Sequence, residues 1–376
     1  MHTEKKKIII IGGFLGAGKT TAILYMANHF IKSGKKIGIV TNDQGSLLVD
    51  TDFLRSNGLE VLSVEGGCFC CNFDEFTEKI AELKQKNNID IILAEPVGSC
   101  TDLIATIFKP LQKNKAQMLG AFMREFSLAP LSIVADPKRI KRLMMEEKTK
   151  DYALGTEVNY LFDKQLQEAG IIAVNKCDTV TDSELEEIKN FLNAKYPGIE
   201  LLCVSAKTGA GLNGWLSRIT DTAFEPGQKP LEIDYEIYAR AEAALGWLNT
   251  FCCLTAEPAG DVNGCVRLYM ENVRAGLRDK NAEIAHLKCY CVAQSEYYKA
   301  SITGIDDALY ESALMSLPQK EINLIVNARV NAEPELLKQI CESEIEKAFC
   351  GFKITSMHTE SFKPAPPVPV HRLGNS

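Results

Sequence analysis

Histidine is scarce in this chain: only five occur among 376 residues, and none are clustered. That excludes a low-complexity, histidine-rich tract. No run reaches the roughly 18 apolar residues a membrane-crossing helix needs. A basic excess is missing too: 42 Lys and Arg stand against 49 Asp and Glu, for a formal net charge of -7. Without a broad positive field, nucleic acid and anionic membrane are not expected partners. The opening Lys5-Lys6-Lys7 carries the charge of a signal peptide start, but the apolar run Ile8 to Ile11 is short and meets glycines. It reads as a first strand, and the cytoplasm is the expected compartment.

Cysteine, by contrast, is plentiful. Of thirteen, three fall within Glu65-Gly66-Gly67-Cys68-Phe69-Cys70-Cys71. A disulfide between the neighbours Cys70 and Cys71 would be strained, and a reducing compartment favours metal thiolates over disulfides. Three thiolates suit Zn(II), Co(II), Ni(II) or Cu(I) and leave a position open for exchange.

Hydrophobic residues make up 46% and charged residues 24%, enough for a sizeable core. Apolar runs alternate with helical patterns through about the first 220 residues, the mark of βα units around a mostly parallel sheet. Strands are expected near 6–12, 36–41, 59–64, 89–94, 130–135, 170–174 and 200–204. The run Glu225-Pro226-Gly227-Gln228-Lys229-Pro230 reads as a linker. Beyond it, alternation at Ile233, Tyr235, Ile237 and Ala239 predicts a strand, and Leu287, Cys289 and Cys291 predict another. The expected fold is therefore an α/β domain of P-loop NTPase type with a mostly parallel sheet, plus a smaller α+β C-terminal domain of broadly ferredoxin-like order. Its divisions are 1–222 for the first domain, 223–232 for the linker, 233–360 for the second domain and 361–376 for an extended, proline-rich tail.

Gly13-Phe14-Leu15-Gly16-Ala17-Gly18-Lys19-Thr20 matches the phosphate-binding pattern GxxxxGK[ST] between a strand and a helix. Its glycines let backbone N–H groups surround phosphate oxygens. Lys19 would reach the β- and γ-phosphates, and the Thr20 hydroxyl would ligate Mg²⁺. Further on, Asn175-Lys176-Cys177-Asp178 follows an apolar strand, and Ser205-Ala206-Lys207 follows the next. A carboxylate at Asp178 accepts from the guanine ring N–H and amine but would meet an acceptor on adenine. GTP is the expected nucleotide. Asp43, within Thr41-Asn42-Asp43-Gln44-Gly45, is placed to orient water, and Glu95-Pro96-Val97-Gly98 offers a magnesium-holding acid with a glycine N–H for the γ-phosphate.

With these motifs in this order, the chain resembles the CobW-like metallochaperone branch of the P-loop GTPases, related to the hydrogenase and urease nickel-insertion GTPases. The resemblance covers about residues 6–220. It implies nucleotide roles for Gly13 through Thr21, Glu95, Gly98, Asn175, Lys176 and Asp178, and metal ligation by Cys68, Cys70 and Cys71. Family members commonly read NEFG where this chain has Asn42-Asp43-Gln44-Gly45, so Asp43 keeps the acid with shorter reach.

These readings lead to the expectation of GTP hydrolysis coupled to delivery of zinc, cobalt or nickel to a client protein. One alternative is a GTPase gating corrinoid loading on a client enzyme; another is a non-catalytic metal-sequestering protein ordered by GTP. A nucleotide-dependent homodimer is a further possible assembly. Cys100, just past Gly98, is a candidate fourth or transfer ligand, whereas Cys289 and Cys291 are expected to pack in a core.

Overall fold

The computed structural model describes residues 6–42, 49–113, 125–149, 156–223, 230–294 and 296–374. Its contacts divide the chain into two interleaved units.

In the first unit, β1 (Lys6–Gly12) leads through a glycine-rich turn to α1 (Lys19–Lys32), and β2 (Ile37–Asn42) follows. After α2 (Val49–Ser56) come β3 (Val61–Val64), α3 (Phe73–Asn87) and β4 (Ile91–Glu95). A π-helical turn (Ile104–Phe108) runs into α4 (Lys109–Gln112). Then follow β5 (Phe126–Leu128), β6 (Ser132–Ala135), α5 (Pro137–Thr149), α6 (Thr156–Gln167), β7 (Ile171–Val174), α7 (Asp182–Lys195), β8 (Glu200–Cys203) and α8 (Leu212–Asp221). The strand order is β3-β2-β4-β1-β6-β7-β8, with β5 also paired to β1. Every pairing is parallel. Ile8 to Ile11 and Ile92 to Ala94 are fully enclosed, as unbroken apolar runs must be when helices cover both sheet faces. The motif loops all leave the carboxyl ends of these strands, where open α/β sheets bind ligands.

The second unit takes residues 49–53 and 239–366. Following α9 (Tyr235–Ala243), which begins in the first unit, come β9 (Gly246–Gly260), α10 (Val262–Asp279), β10 (Ile284–Ala293), β11 (Glu296–Ile302) and β12 (Tyr310–Ala313). The unit closes with β13 (Gln319–Val330), α11 (Pro334–Ala348) and β14 (Lys353–Phe362). All pairings are antiparallel, in the order β12-β11-β10-β13-β9-β14. The four strands β10-β13-β9-β14, with α10 and α11 as crossovers, make a split βαβ arrangement, and β11 and β12 extend one edge. Cys289 and Cys291 are fully buried in this unit's core beside Cys252 and Cys341. Val49–Phe53 is tied to the same sheet. The Val49 N–H donates to Asn327 Oδ1 at 3.1 Å, and Lys288 and Lys299 pair with Asp50. Burial opposes ionisation of Asp50, but the two ammonium groups hold its pKa below the ordinary carboxylate range.

One predicted strand is a helix. The alternation at Ile233, Tyr235, Ile237 and Ala239 falls on α9, because Asp234 Oδ1 accepts from the N–H groups of Glu236 and Ile237 at 2.8 and 3.1 Å. Such a cap starts a helix, and the alanine-rich continuation sustains it.

Candidate functional site

The phosphate loop is shaped by positions only glycine can fill. Gly13 has φ 131°, and a Cβ there would lie 2.2 Å from the Val134 carbonyl oxygen. Gly18 caps α1 in the left-handed region, where a Cβ would meet Asn175 Nδ2 at 2.4 Å. That close approach is functional packing: Asn175 Nδ2 donates to the Ala17 carbonyl at 2.8 Å, while its Oδ1 accepts from the Ala206 N–H at 2.8 Å. One side chain thus joins the phosphate loop to the Ser205-Ala206-Lys207 loop. Lys176 extends across the same turn, donating to the Gly16 carbonyl at 2.8 Å and to Asp136 Oδ2 at 2.6 Å. Asp178 and Lys207 are exposed at the mouth, so the Asp178 carboxylate is open to a base.

Thr20 Oγ1 donates to Glu95 Oε1 at 3.1 Å, and Lys19 Nζ lies 4.0 Å from the same oxygen. All three side chains are buried. A hydroxyl and a carboxylate this close to a lysine are the donor set expected for Mg²⁺ beside a terminal phosphate. Gly98 faces the phosphate loop at close range; a Cβ on it would lie 2.7 Å from Leu15 Cδ2 and 3.1 Å from Leu15 N. Thr21 is exposed on α1. Asp43 lies outside the described residues.

The three thiols sit on the loop between β3 and α3. Cys68 Sγ is 2.7 Å from Cys70 Sγ and 3.0 Å from Cys71 Sγ, and the last two are 3.9 Å apart. They form the only such metal-ligating group of histidine, cysteine or acidic side chains among the described residues. A tetrahedral ion with Zn–S bonds of about 2.3 Å spaces its sulfurs roughly 3.8 Å apart. The donor set therefore fits a thiophilic ion once the two shorter separations open by about 1 Å. Cys68 is the natural thiolate: thiol hydrogen bonds from Cys100, Cys70 and Cys71 bring its pKa well below the usual value. Donation to Cys68 raises Cys70 and pushes Cys71 up to about 11. Cys100 is buried and meets the cluster through its hydrogen bond to Cys68.

Four residues not singled out from the sequence hold these parts in place. Asn42, at the end of β2, donates to the carbonyls of Val64 at 3.1 Å and Gly67 at 2.7 Å, and accepts from the Phe69 N–H at 2.8 Å. It is buried, and it staples the thiol loop to the strand that precedes Asp43. Gln165 Nε2 donates to the carbonyls of Gly98 and Cys100 at 3.0 and 2.8 Å. Glu168 accepts from Thr101 Oγ1 at 3.1 Å and the Ile104 N–H at 3.2 Å. Burial and the nearby Asp102 charge push its pKa up to about 8. Asp102 itself, at φ 63° and fully enclosed, accepts from Tyr235 Oη at 2.8 Å and Arg372 Nε at 2.7 Å. Burial raises its pKa despite those two partners. Sequence signal for these four was thin, since amides and acids in strand ends and helices are common.

The fold and the site define a P-loop nucleotide-binding domain with a thiol cluster on the loop between β3 and α3. The chain matches the model of the CobW/HypB/UreG nucleotide-binding domain over residues 7–202, just over half its length, and belongs to that family. Among similar proteins is the zinc chaperone CobW of a Sinorhizobium species, 29% identical over 198 residues, covering 50% of this chain and 55% of that protein. Another is the zinc chaperone YeiR of Escherichia coli, 28% identical over 189 residues, 48% of this chain and 50% of that protein. The chain thus spans about half the length of the curated relatives it matches. The Zn(II)-bound YjiA GTPase from E. coli aligns over 93% of this chain and 100% of that one, at 14% identity and a TM-score of 0.38. That likeness is weak, and the family assignment stands on the sequence match.

Proposed function

We propose that this chain hydrolyses GTP to GDP and phosphate and couples the nucleotide state to delivery of a transition metal, zinc first among them, to a client protein. The observation that carries this reading is Asn42. Its three hydrogen bonds fix the thiol loop to the end of β2, one residue before Asp43. Movement of that strand end with nucleotide therefore acts on the thiols directly. Zinc is put first by the names of the curated relatives, and the three-sulfur donor set accepts it along with other thiophilic ions.

The residues divide the work. Lys19 neutralises phosphate charge, Thr20 and Glu95 supply oxygen donors for Mg²⁺, and the Gly98 N–H meets the terminal phosphate. Asp43 orients the attacking water. Asp178 reads guanine, with Ser205, Ala206 and Lys207 closing on the base. Cys68, Cys70 and Cys71 hold the metal as cargo, and Cys100 enters as fourth or transfer ligand when the segment after Gly98 shifts, an arrangement supported by its hydrogen bond to Cys68.

Chelator competition for Zn(II), under reducing conditions, tests the coupling with GDP and with a non-hydrolysable GTP analogue plus Mg²⁺. A tenfold difference in affinity between the two states, lost in Cys70→Ser, is expected and corresponds to about 1.4 kcal/mol. Equal affinities would sink the proposal. Cys100→Ser should weaken zinc in one nucleotide state only, and an unchanged affinity in both would remove Cys100 from the site.

A further inference from the structure

The tail that follows the second unit returns to the first, and it lands on the thiol loop. The Val368 N–H donates to Cys71 Sγ at 3.3 Å, and the Val370 N–H donates to the Cys70 carbonyl at 2.9 Å. The His371 ring meets Phe73 edge-on at 5.1 Å between centroids. One residue later, Arg372 Nε donates to Asp102 Oδ2 at 2.7 Å while its Nη2 donates to the Leu231 carbonyl at 2.9 Å. The Leu373 N–H then donates to the Ala105 carbonyl at 2.9 Å. The N–H groups of Val368 and Val370 thus point the same way, as in an extended ribbon, and the alternating prolines, Pro367 and Pro369, occupy positions that need no donor. Val368 and Val370 remain 74% and 47% exposed. Pro367 is buried and Pro369, His371 and Leu373 are half-buried, so partial apolar contact, a few hydrogen bonds and one ion pair together hold the ribbon down.

We infer that residues 367–373 are a strap over the thiol site, latched by Arg372 on Asp102, and that metal and client reach Cys70 and Cys71 only when it lifts. Arg372 acts as a positioning residue: it touches no thiol, but it fixes the register that presents the Val368 N–H to Cys71. Asp102 stands four residues beyond Gly98, so a shift of that segment acts on the latch from below. With the Val368 N–H seated on Cys71 Sγ and the Val370 N–H on the Cys70 carbonyl, the strap obstructs approach to the thiols and so slows ligand exchange while leaving the three sulfurs in place. The inference relies on the proposed function for the metal, and on geometry alone for the closure.

Two readouts separate those dependencies. In the metal-free full-length protein under reducing conditions, iodoacetamide labelling of Cys71, followed by peptide mass spectrometry, reads closure. Arg372→Ala should raise that rate at least fivefold, a stop codon replacing Pro367 should raise it further, and Arg372→Lys should restore part of the protection. Unaltered GDP affinity reports that the first unit remains folded in each variant. If Cys71 labels equally fast in the parent and both open variants, the strap is refuted whatever the metal. The second readout is the rate at which a chromophoric chelator strips Zn(II) from the loaded protein. Release should accelerate in the open variants by more than the equilibrium affinity falls. Equal release rates, with zinc still lost in Cys70→Ser, would overturn the strap as a gate while leaving the metal site standing. Failure of zinc to depend on Cys70 would instead overturn the proposed metal site, and labelling would still decide closure.

Discussion

Replacing Asn42 by alanine removes the staple between β2 and the thiol loop, and its cost follows from the three bonds it makes. Each is worth about 1 kcal/mol net, and a buried group left without a partner costs about 1–3 kcal/mol. With the Val64 and Gly67 carbonyls and the Phe69 N–H all affected, the expected loss is about 3–5 kcal/mol, less whatever water recovers. Phe69 itself is fully buried and stacked on Phe76 at 4.2 Å, so apolar packing holds the far side of the loop while the near side comes loose. Asn42→Asp is the sharper probe. It keeps the acceptor for Phe69 but loses both donors and sets a carboxylate against two carbonyl oxygens.

Hydrogen exchange of the peptide spanning 65–72 measures this locally. A 3 kcal/mol loss should speed exchange at the Phe69 amide on the order of a hundredfold, with slow exchange preserved in β1 and β4. Zinc affinity should fall in both variants, and the difference between nucleotide states should shrink. Unchanged exchange over 65–72 would mean that the loop is held by its own turn, in which the Cys71 and Asn72 N–H groups donate to the Cys68 carbonyl. The role given to Asn42 would then be wrong.

Gly98→Ala forces a Cβ to within 3.1 Å of the Leu15 backbone nitrogen, so phosphate release should drop at least tenfold while GDP affinity changes less; equal losses in both would place the damage in the fold. Glu168, pushed up to about 8 from an ordinary 4.5, contributes stability that is complete below about pH 4.5 and is lost as pH rises through about 8. Between pH 6 and 9 the first unit should lose about 3 kcal/mol of stability in urea titrations, and Glu168→Gln should flatten that slope; a parallel slope in the variant would contradict the assignment. Cys203 is brought to about 7 by a hydrogen bond from Cys177, so its alkylation rate should climb with a midpoint near pH 7, and Cys177→Ala should move the midpoint upward. An unmoved midpoint would show that the pair does not interact.

Contiguous motifs were legible because their spacing is the geometry. A glycine-rich turn between a strand and a helix fixes where Lys19 and Thr20 stand, and CxCC after two glycines puts three sulfurs on one loop. Strands of the first unit were read well because uninterrupted isoleucine and valine runs mean two covered faces. What failed to show was any partner distant in sequence. Asn42 meets a loop 22–27 residues away, and an asparagine ending a strand carries no mark of that task. The tail was read as extended, but its docking on Cys71 spans 297 residues, and proline content sets conformation without naming a surface. Where a strand is expected at 233–239 the chain forms a helix, because the Asp234 cap outweighs the apolar alternation.

The interleaving of the two units also sets an order in time. Residues 68–71 leave the ribosome long before residues 367–373 are made, and the intervening 295 residues take roughly 15–60 s at 5–20 residues per second. For that interval the nascent thiols have no cover. If residues 367–373 form the strap inferred above, a thiol-binding ion meets no latch during synthesis, and the finished chain closes over whatever the three sulfurs already hold.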